Sequence, residues 1–283
     1  MTTNKTSNQP GNQPGRKKKK KASARTIILR ILMAICLVVF AFSGYKLYTI
    51  WDGNHQIEKE TEDLKQYLQT PEKTGDQEVQ PDAAKEEHFS VDWAGLKAAN
   101  PNVVAWLIVP GTGISYPVVQ ASDNEYYLNH SFTGQYNNLG AVFLDAAANP
   151  DFLDDNSIIY GHSVDIGGMF TNLKDFTSQE FFESHPYFWL LTPAQNYRCE
   201  IDAFYQGSDE SAIYTIDFGD YQNEVMKQIY KEAMYTRTMD LDGRHFVTLS
   251  TCNLDYGFSS NQRYVLMGVL KEWNELIPAS AVQ

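Results

Sequence analysis

From Val103 to Leu270 the chain is a succession of short apolar runs, each stopped by residues that turn a backbone. The runs are Val103–Val109, Ile114–Val119, Gly140–Leu144, Ser157–Tyr160, Tyr187–Leu191, Tyr197–Gln206, His245–Ser250 and Tyr264–Leu270. They are rich in β-branched and aromatic residues, which suit a pleated, half-buried surface. Pro110-Gly111, Asn149-Pro150, Asp154-Asp155-Asn156, Pro193 to Asn196 and Asp242-Gly243 supply the turns between them. Helical spacing is confined to Asp92–Ala99, Gln179–Ser184 and Asp220–Tyr235, the last with Val225, Ile229 and Ala233 on one stripe and Met226 and Tyr230 beside it. Eight short strands with so little helix predict a mostly β domain, a barrel or a sandwich, over residues 89–283.

The sequence ahead of this domain is of another kind. Residues 1–51 hold ten basic residues and no acidic one, whereas 13 basic and 35 acidic residues follow from Asp52 onward. A nucleic-acid binder needs its positive charge on the folded part, so no nucleic-acid partner is expected. Residues 1–15 are mostly Thr, Asn, Gln, Pro and Gly, too polar to bury a core, and the basic cluster Arg16 to Lys21 follows. From Ile27 to Ile50 the chain is mostly apolar, unbroken from Ile31 to Phe42, and at 1.5 Å per residue it spans about 36 Å, enough to cross a bilayer. Arg30 and Lys46 can snorkel, and Tyr45, Tyr48 and Trp51 form an aromatic belt. The positive-inside rule then predicts a cytoplasmic tail at 1–25, a single transmembrane signal-anchor at 26–51 and everything beyond outside the cell.

Ala41-Phe42-Ser43 has the small-residue spacing of a signal-peptide cleavage site, and a buried core helix is a second rival. The long basic leader and the apolar character continuing to Trp51 favour a retained anchor. Residues 52–88, with eleven acidic and four basic residues and with Pro71, Gly75 and Pro81, read as an acidic spacer. Within it, His55–Leu68 has the pattern of a polar helix with a thin stripe of Ile57, Leu64 and Leu68.

The three cysteines differ in their surroundings. Cys36 lies in the apolar N-terminal segment, and Cys199 in the alternating run Tyr197-Arg198-Cys199-Glu200-Ile201, where a small buried hydrophobe is expected. Cys252 ends the run from His245, with Thr248 and Ser250 on its own face and Val247 and Leu249 on the other. Asn253, Asp255 and Gly257 stop the strand there, and scaffolds place nucleophiles at such strand ends. The alternatives are an unremarkable small residue or a disulfide with Cys199. Neither zinc nor calcium spacing is present, Asp209, Glu210 and Asp217 included, so no metal or other cofactor is expected.

A thiol with an ordinary pKa of about 8.5 needs a histidine, a cation or a helix N-terminus to act near neutral pH. Five of the six histidines fall in the acidic segment or at element edges. His162 differs, because Ser157-Ile158-Ile159-Tyr160-Gly161-His162 reads as a buried strand followed by Gly and an exposed imidazole, with Gly167-Gly168 to keep the loop open. Arg263 begins the next run eleven residues after Cys252, and a hairpin would return it beside that thiol. There its planar charged fork could hold a substrate carbonyl or a tetrahedral oxyanion; a strand-capping arginine is the plainer reading.

Tyr160-Gly161-His162, Thr248-Leu249-Ser250-Thr251-Cys252 and Arg263, preceded by Tyr116-Pro117-Val118-Val119-Gln120 and Tyr126-Tyr127-Leu128-Asn129, resemble a class B sortase over about residues 90–271. The resemblance implies an eight-stranded sortase-type β-barrel with N-terminal helices and a helix between strands six and seven, where Asp220–Tyr235 lies. It implies a membrane-anchored cysteine transpeptidase with its catalytic domain outside. Cys252 would attack the Thr carbonyl of a C-terminal sorting signal to form a thioacyl enzyme, and His162 would protonate the departing amine. His162 would then deprotonate the amine of a peptidoglycan precursor, with Arg263 steadying peptide and oxyanion. Ser250, Thr251, Leu128 and Asn129 are the implied substrate contacts. Asn253 follows the cysteine where some relatives carry an acid, so no carboxylate is assigned to the catalytic group. A pilin Lys as acceptor and an inactive surface binding module stay open. L,D-transpeptidases set Cys and Arg almost adjacent and papain-like peptidases set Cys before His; this chain does neither.

Overall fold

The computed structural model describes residues 24–69, 88–164, 168–237, 244–257 and 259–282. The Arg16 to Lys21 cluster, Pro71, Gly75, Pro81, Gly167 and Asp242-Gly243 lie outside the described residues. Chain contacts divide the protein into a unit ending at Trp51 and a second from Asp52 to Gln283. A long helix, α1 (Ala24–Leu64), opens the described chain. In the first unit its segment Ala24–Thr49 has 26 residues, a mean hydropathy of 2.5 and no burial against protein. It is about 39 Å long, sufficient to cross a hydrocarbon core.

In the second unit α1 ends at Leu64, which is only 7% exposed and packs in a cluster with Trp106, Val119 and Phe132. Tyr67 and Leu68 lie against the same cluster, and Leu68–Gln69 pairs with Ser90–Val91. Of the stripe read within His55–Leu68, Leu64 and Leu68 thus find apolar barrel surface to cover. Next comes α2 (Trp93–Ala99), capped by Asp92, whose side chain accepts from Gly95 N at 3.0 Å.

Eight strands form the barrel: β1 (Val103–Val109), β2 (Ile114–Val119), β3 (Val142–Leu144), β4 (Asn156–Tyr160), β5 (Tyr187–Leu191), β6 (Asn196–Ser208), β7 (Phe246–Cys252) and β8 (Gln262–Trp273). Neighbours run β8-β7-β4-β3-β2-β1-β5-β6, and β6 returns to β8 to close the ring. Pairs β2–β3 and β4–β7 are parallel and the others antiparallel. The mostly β barrel expected from the sequence is the fold found; it is not a sandwich because the 13-residue β6 pairs with β5 on one edge and β8 on the other.

Both faces of the central strands are buried. Along β1, Ala105, Leu107 and Val109 fill the barrel interior, whereas Val103, Trp106 and Ile108 face an outer cluster covered by α1, Leu68, Phe89 and Ile277. A third cluster lies under α4 (Gln222–Glu232), which follows β6 and the short α3 (Gln179–Ser184). Met226 and Ile229 of α4 press on Phe246, Val265 and Met267. The helix expected over Asp220–Tyr235 is shorter because Ala233 turns extended and Tyr235–Thr236 adds to the edge of β6.

A bulge in β6 fixes α4. Met267 pairs with Ala203 and Gly268 with Ile201, which leaves Asp202 as the extra residue, fully buried. Tyr230 of α4 donates to both its carboxylate oxygens, at 2.8 and 2.9 Å. Desolvation raises the Asp202 pKa from 3.8 to about 6 against the opposing pull of Tyr230 and Arg237. Between these values the folded chain binds more protons than the unfolded one, so this group's contribution to stability falls as pH rises through the window. Asp202→Asn is therefore expected to gain about 3 kcal/mol over the parent between pH 3.5 and pH 7. Denaturant melts of both proteins across that range check this, and a pH-independent difference would refute it.

Candidate active site at the ends of β4, β7 and β8

The hairpin from β7 to β8 sets the register on which the site depends. Ser250 pairs with Val265, Thr251 with Tyr264 and Cys252 with Arg263. Residues eleven apart in sequence are thereby cross-strand partners, with Cβ atoms about 5 Å apart. On the other edge of β7, β4 runs parallel with Tyr160 opposite Ser250, and Gly161 N donates to Ser250 O at 3.1 Å. The chain leaving β4 must then carry His162 past the end of β7. Cys252, His162 and Arg263 line one cleft of about 450 Å³.

Cys252 is a half-exposed free thiol. Cys199 is also free but lies wholly inside the barrel core, where burial pushes its thiol pKa up. The alternative of a disulfide between them is excluded by this placement: Cys199 faces Phe188 and Leu270 across the sheet, not Cys252. His162 Nε2 lies 2.8 Å from the carbonyl oxygen of Leu128. A carbonyl only accepts, so Nε2 carries the proton. Arg263 donates through Nη1 to the carbonyls of Ser260 at 2.7 Å and Gln262 at 3.0 Å, and through Nη2 to Asp209 Oδ2 at 2.8 Å.

The other residues singled out in the sequence are placed unevenly. Ser250 and Thr251 line the cleft; the Ser250 hydroxyl meets Tyr214 OH at 2.7 Å, whereas Thr251 Oγ1 is buried with no partner among the described residues. Leu128, 42% exposed, forms part of the wall. Asn129 is exposed next to it but is not among the lining residues, and its carbonyl is taken up by Asn137 N.

Further residues line the cleft: Tyr160 of the motif that carries His162, Asp209, weighed in the sequence only as a calcium ligand, and Asn124, Phe143 and Tyr214, which are not singled out in the sequence. Asp145 organises two of them, since its Oδ2 accepts from Tyr160 OH and from Asn124 Nδ2, each at 2.9 Å. Burial and the Asp145 charge push the Tyr160 pKa far up, and burial does the same at Tyr214, so both phenols stay protonated. The cleft wall thus offers apolar surface at Leu128 and Phe143 and neutral donors at Asn124 and Tyr214. Among the described residues no group of three or more His, Cys, Asp and Glu could hold a metal.

Comparison with known proteins fits this arrangement. The family model for the sortase domain matches residues 107–271. Sortase B of Listeria monocytogenes is 34% identical over 182 residues, covering 62% of this chain and 72% of that protein. The chain belongs to the sortase family, in its class B. Among solved structures, a Staphylococcus aureus sortase B-substrate complex superposes with a TM-score of 0.59 at 25% identity, over 64% of this sortase and 85% of that chain. A Streptococcus pyogenes class B sortase involved in pilus biogenesis gives 0.58 at 33% identity, over 64% and 98%. Sortases are cysteine transpeptidases, and this sortase has its one half-exposed barrel cysteine at the end of β7.

The turn that carries His162 has no spare room. A Cβ on Gly161 would lie 2.7 to 2.9 Å from the ring of Phe170, which is fully buried and cannot yield. Gly161→Ala is therefore expected to displace His162 and to lower kcat/KM about 100-fold, the scale of an ångström-sized misplacement. Peptide-cleavage kinetics check this, and unchanged kinetics would show that the turn relaxes elsewhere.

Proposed function

We propose that this sortase is a membrane-anchored enzyme working outside the cell, which cleaves a C-terminal sorting signal after Thr and joins the new carboxyl end to an amine of a peptidoglycan precursor. The cross-strand pair Cys252–Arg263, with His162 in the same cleft, carries the reading. The Cys252 thiol gives its proton to the unprotonated ring nitrogen of His162, and the resulting thiolate attacks the threonyl carbonyl carbon while the carbonyl electron pair moves to oxygen. The N–H donors that Arg263 has left would meet that oxyanion, worth a factor of about 100 to 1000 for one well-placed donor. As the C–N bond breaks, His162 gives its proton to the leaving amine, which requires its bond to Leu128 O to open. The acceptor amine then attacks the thioester, His162 takes its proton, and the C–S bond breaks to a thiolate that regains its proton from His162. Ser250, Thr251 and Leu128, which line the cleft, are proposed to hold the extended peptide, with Asn129 beside them outside the lining.

A pilin Lys is a second acceptor reading, favoured by the likeness to the Streptococcus pyogenes pilus enzyme. The full chain incubated with a fluorogenic sorting-signal peptide is expected to cleave it. Cys252→Ala should abolish cleavage, whereas Cys199→Ala should keep it; cleavage surviving in Cys252→Ala would overturn the assignment. Adding precursor amine or a pilin Lys peptide as competing acceptors separates the two readings.

The apolar segment Ala24–Thr49, preceded by the Arg16 to Lys21 cluster, supports a retained single-pass anchor with residues 1–25 cytoplasmic, an acidic segment at 52–88 and the catalytic domain at 89–283 outside. Cell fractionation should find the protein in membranes with residues 1–43 intact. N-terminal sequencing that began at Gly44 would refute retention.

A further inference from the structure

We infer that Asp209 is a positioning residue for this sortase, fixing the guanidinium of Arg263 beside Cys252. The inference rests on the proposed role of Arg263 and supplies a carboxylate where the residue after the cysteine, Asn253, has none. Arg263 sits on a long stem with much rotamer freedom, and an oxyanion donor is useful only when held in place. Two of its bonds go to Ser260 O and Gln262 O, carbonyls of its own loop. Asp209 is its one partner from another strand connection among the described residues. A guanidinium has five N–H donors, so these three bonds leave donors for a substrate.

Asp209 is itself held. It follows the last residue of β6, and β6 pairs with β8 through Gly207 and Arg263 and through Ser208 and Gln262. Its N–H donates to Asn261 O at 2.9 Å, and Asn261 Nδ2 reaches Ser208 Oγ at 2.9 Å. The carboxylate therefore transmits the closure of the barrel to the arginine. Stability is a poor explanation for the pair, because its side chains are 22% and 37% exposed and ion pairs that open to solvent contribute little to folding. Both side chains also line the cleft that holds the thiol.

The test joins kinetics to a measurement that needs no substrate. Asp209→Ala in the full chain is expected to lower kcat for sorting-signal cleavage about 10- to 100-fold with KM within about twofold, and Asp209→Asn, which keeps an acceptor oxygen, to recover most of the loss. In an Arg263→Ala background, followed by single-turnover acyl-enzyme formation, Asp209→Ala should change the rate less than about twofold. Equal losses in both backgrounds, or a rise confined to KM, would overturn the inference. The Arg263 Nε–H order parameter should fall from a rigid value to below about 0.6 in Asp209→Ala, and an unchanged value would equally overturn it. Failure of the parent to cleave any peptide would sink the proposed function instead, and the order parameter would still decide whether Asp209 holds the arginine.

Discussion

The pairing of β7 on both edges is the constraint on which the site hangs. Every residue from Phe246 to Cys252 has a partner on β8, and those from Phe246 to Ser250 have a second on β4. A slip of one position would send Val247 and Leu249 out of the barrel and turn Cys252 to the opposite face. Those two side chains share the interior with Leu266, Phe188 and Ile201, so every slipped register would expose apolar surface and leave a void. Core packing thus dictates which arginine lies opposite the thiol. The histidine follows from the parallel pairing, because Gly161 is bonded to Ser250 O and the next residue has only the cleft mouth to occupy.

Rigidity around the cleft comes from layers outside the ring. An ordinary antiparallel barrel faces water on its outer surface, but here Trp106, Trp189 and Leu191 are covered from one side and Phe246, Val265 and Met267 by α4. Trp189 Nε1 donates to Ala281 O at 2.9 Å, which ties the chain's last turn to this outer layer. Strand middles are committed on both faces, and chemistry is left to strand ends and the loops beyond them. Tyr160 shows the transition: its ring packs with Phe143 in the outer cluster, while its hydroxyl joins Asp145 and through it Asn124 at the cleft.

Much of this was legible in the sequence because it is local. The strands announced themselves by β-branched runs between turns, and Cys252, His162 and Arg263 by their positions at run ends. The barrel's closure was not legible, since it depends on β6 meeting β8 across 54 positions from Asp209 to Arg263. For the same reason Asp209 read as one more acid without a calcium pattern, and Tyr214 was not singled out. The choice for Cys199 needed its facing direction, and the β6 bulge at Asp202 is invisible to an alternation count. The stripe containing Leu64 and Leu68 was visible within the acidic segment, but the barrel surface that covers these two residues was not.

Leu128 joins the wall of the cleft to its chemistry. Its side chain lines the cleft while its carbonyl accepts the His162 proton, so the segment a peptide would press against also sets the tautomer of the ring. The segment is held firmly: Tyr127 is buried with its hydroxyl taking Asn100 and Asn102 side chains, each at 3.1 Å, and its carbonyl receives Ala141 N at 2.9 Å. Gly140, at φ +58, allows that approach, for a Cβ there would fall 2.1 Å from the Tyr127 carbonyl oxygen. The Leu128 carbonyl orients the imidazole through Nε2. The charged pair on this cleft is Arg263 and Asp209, joined at 2.8 Å.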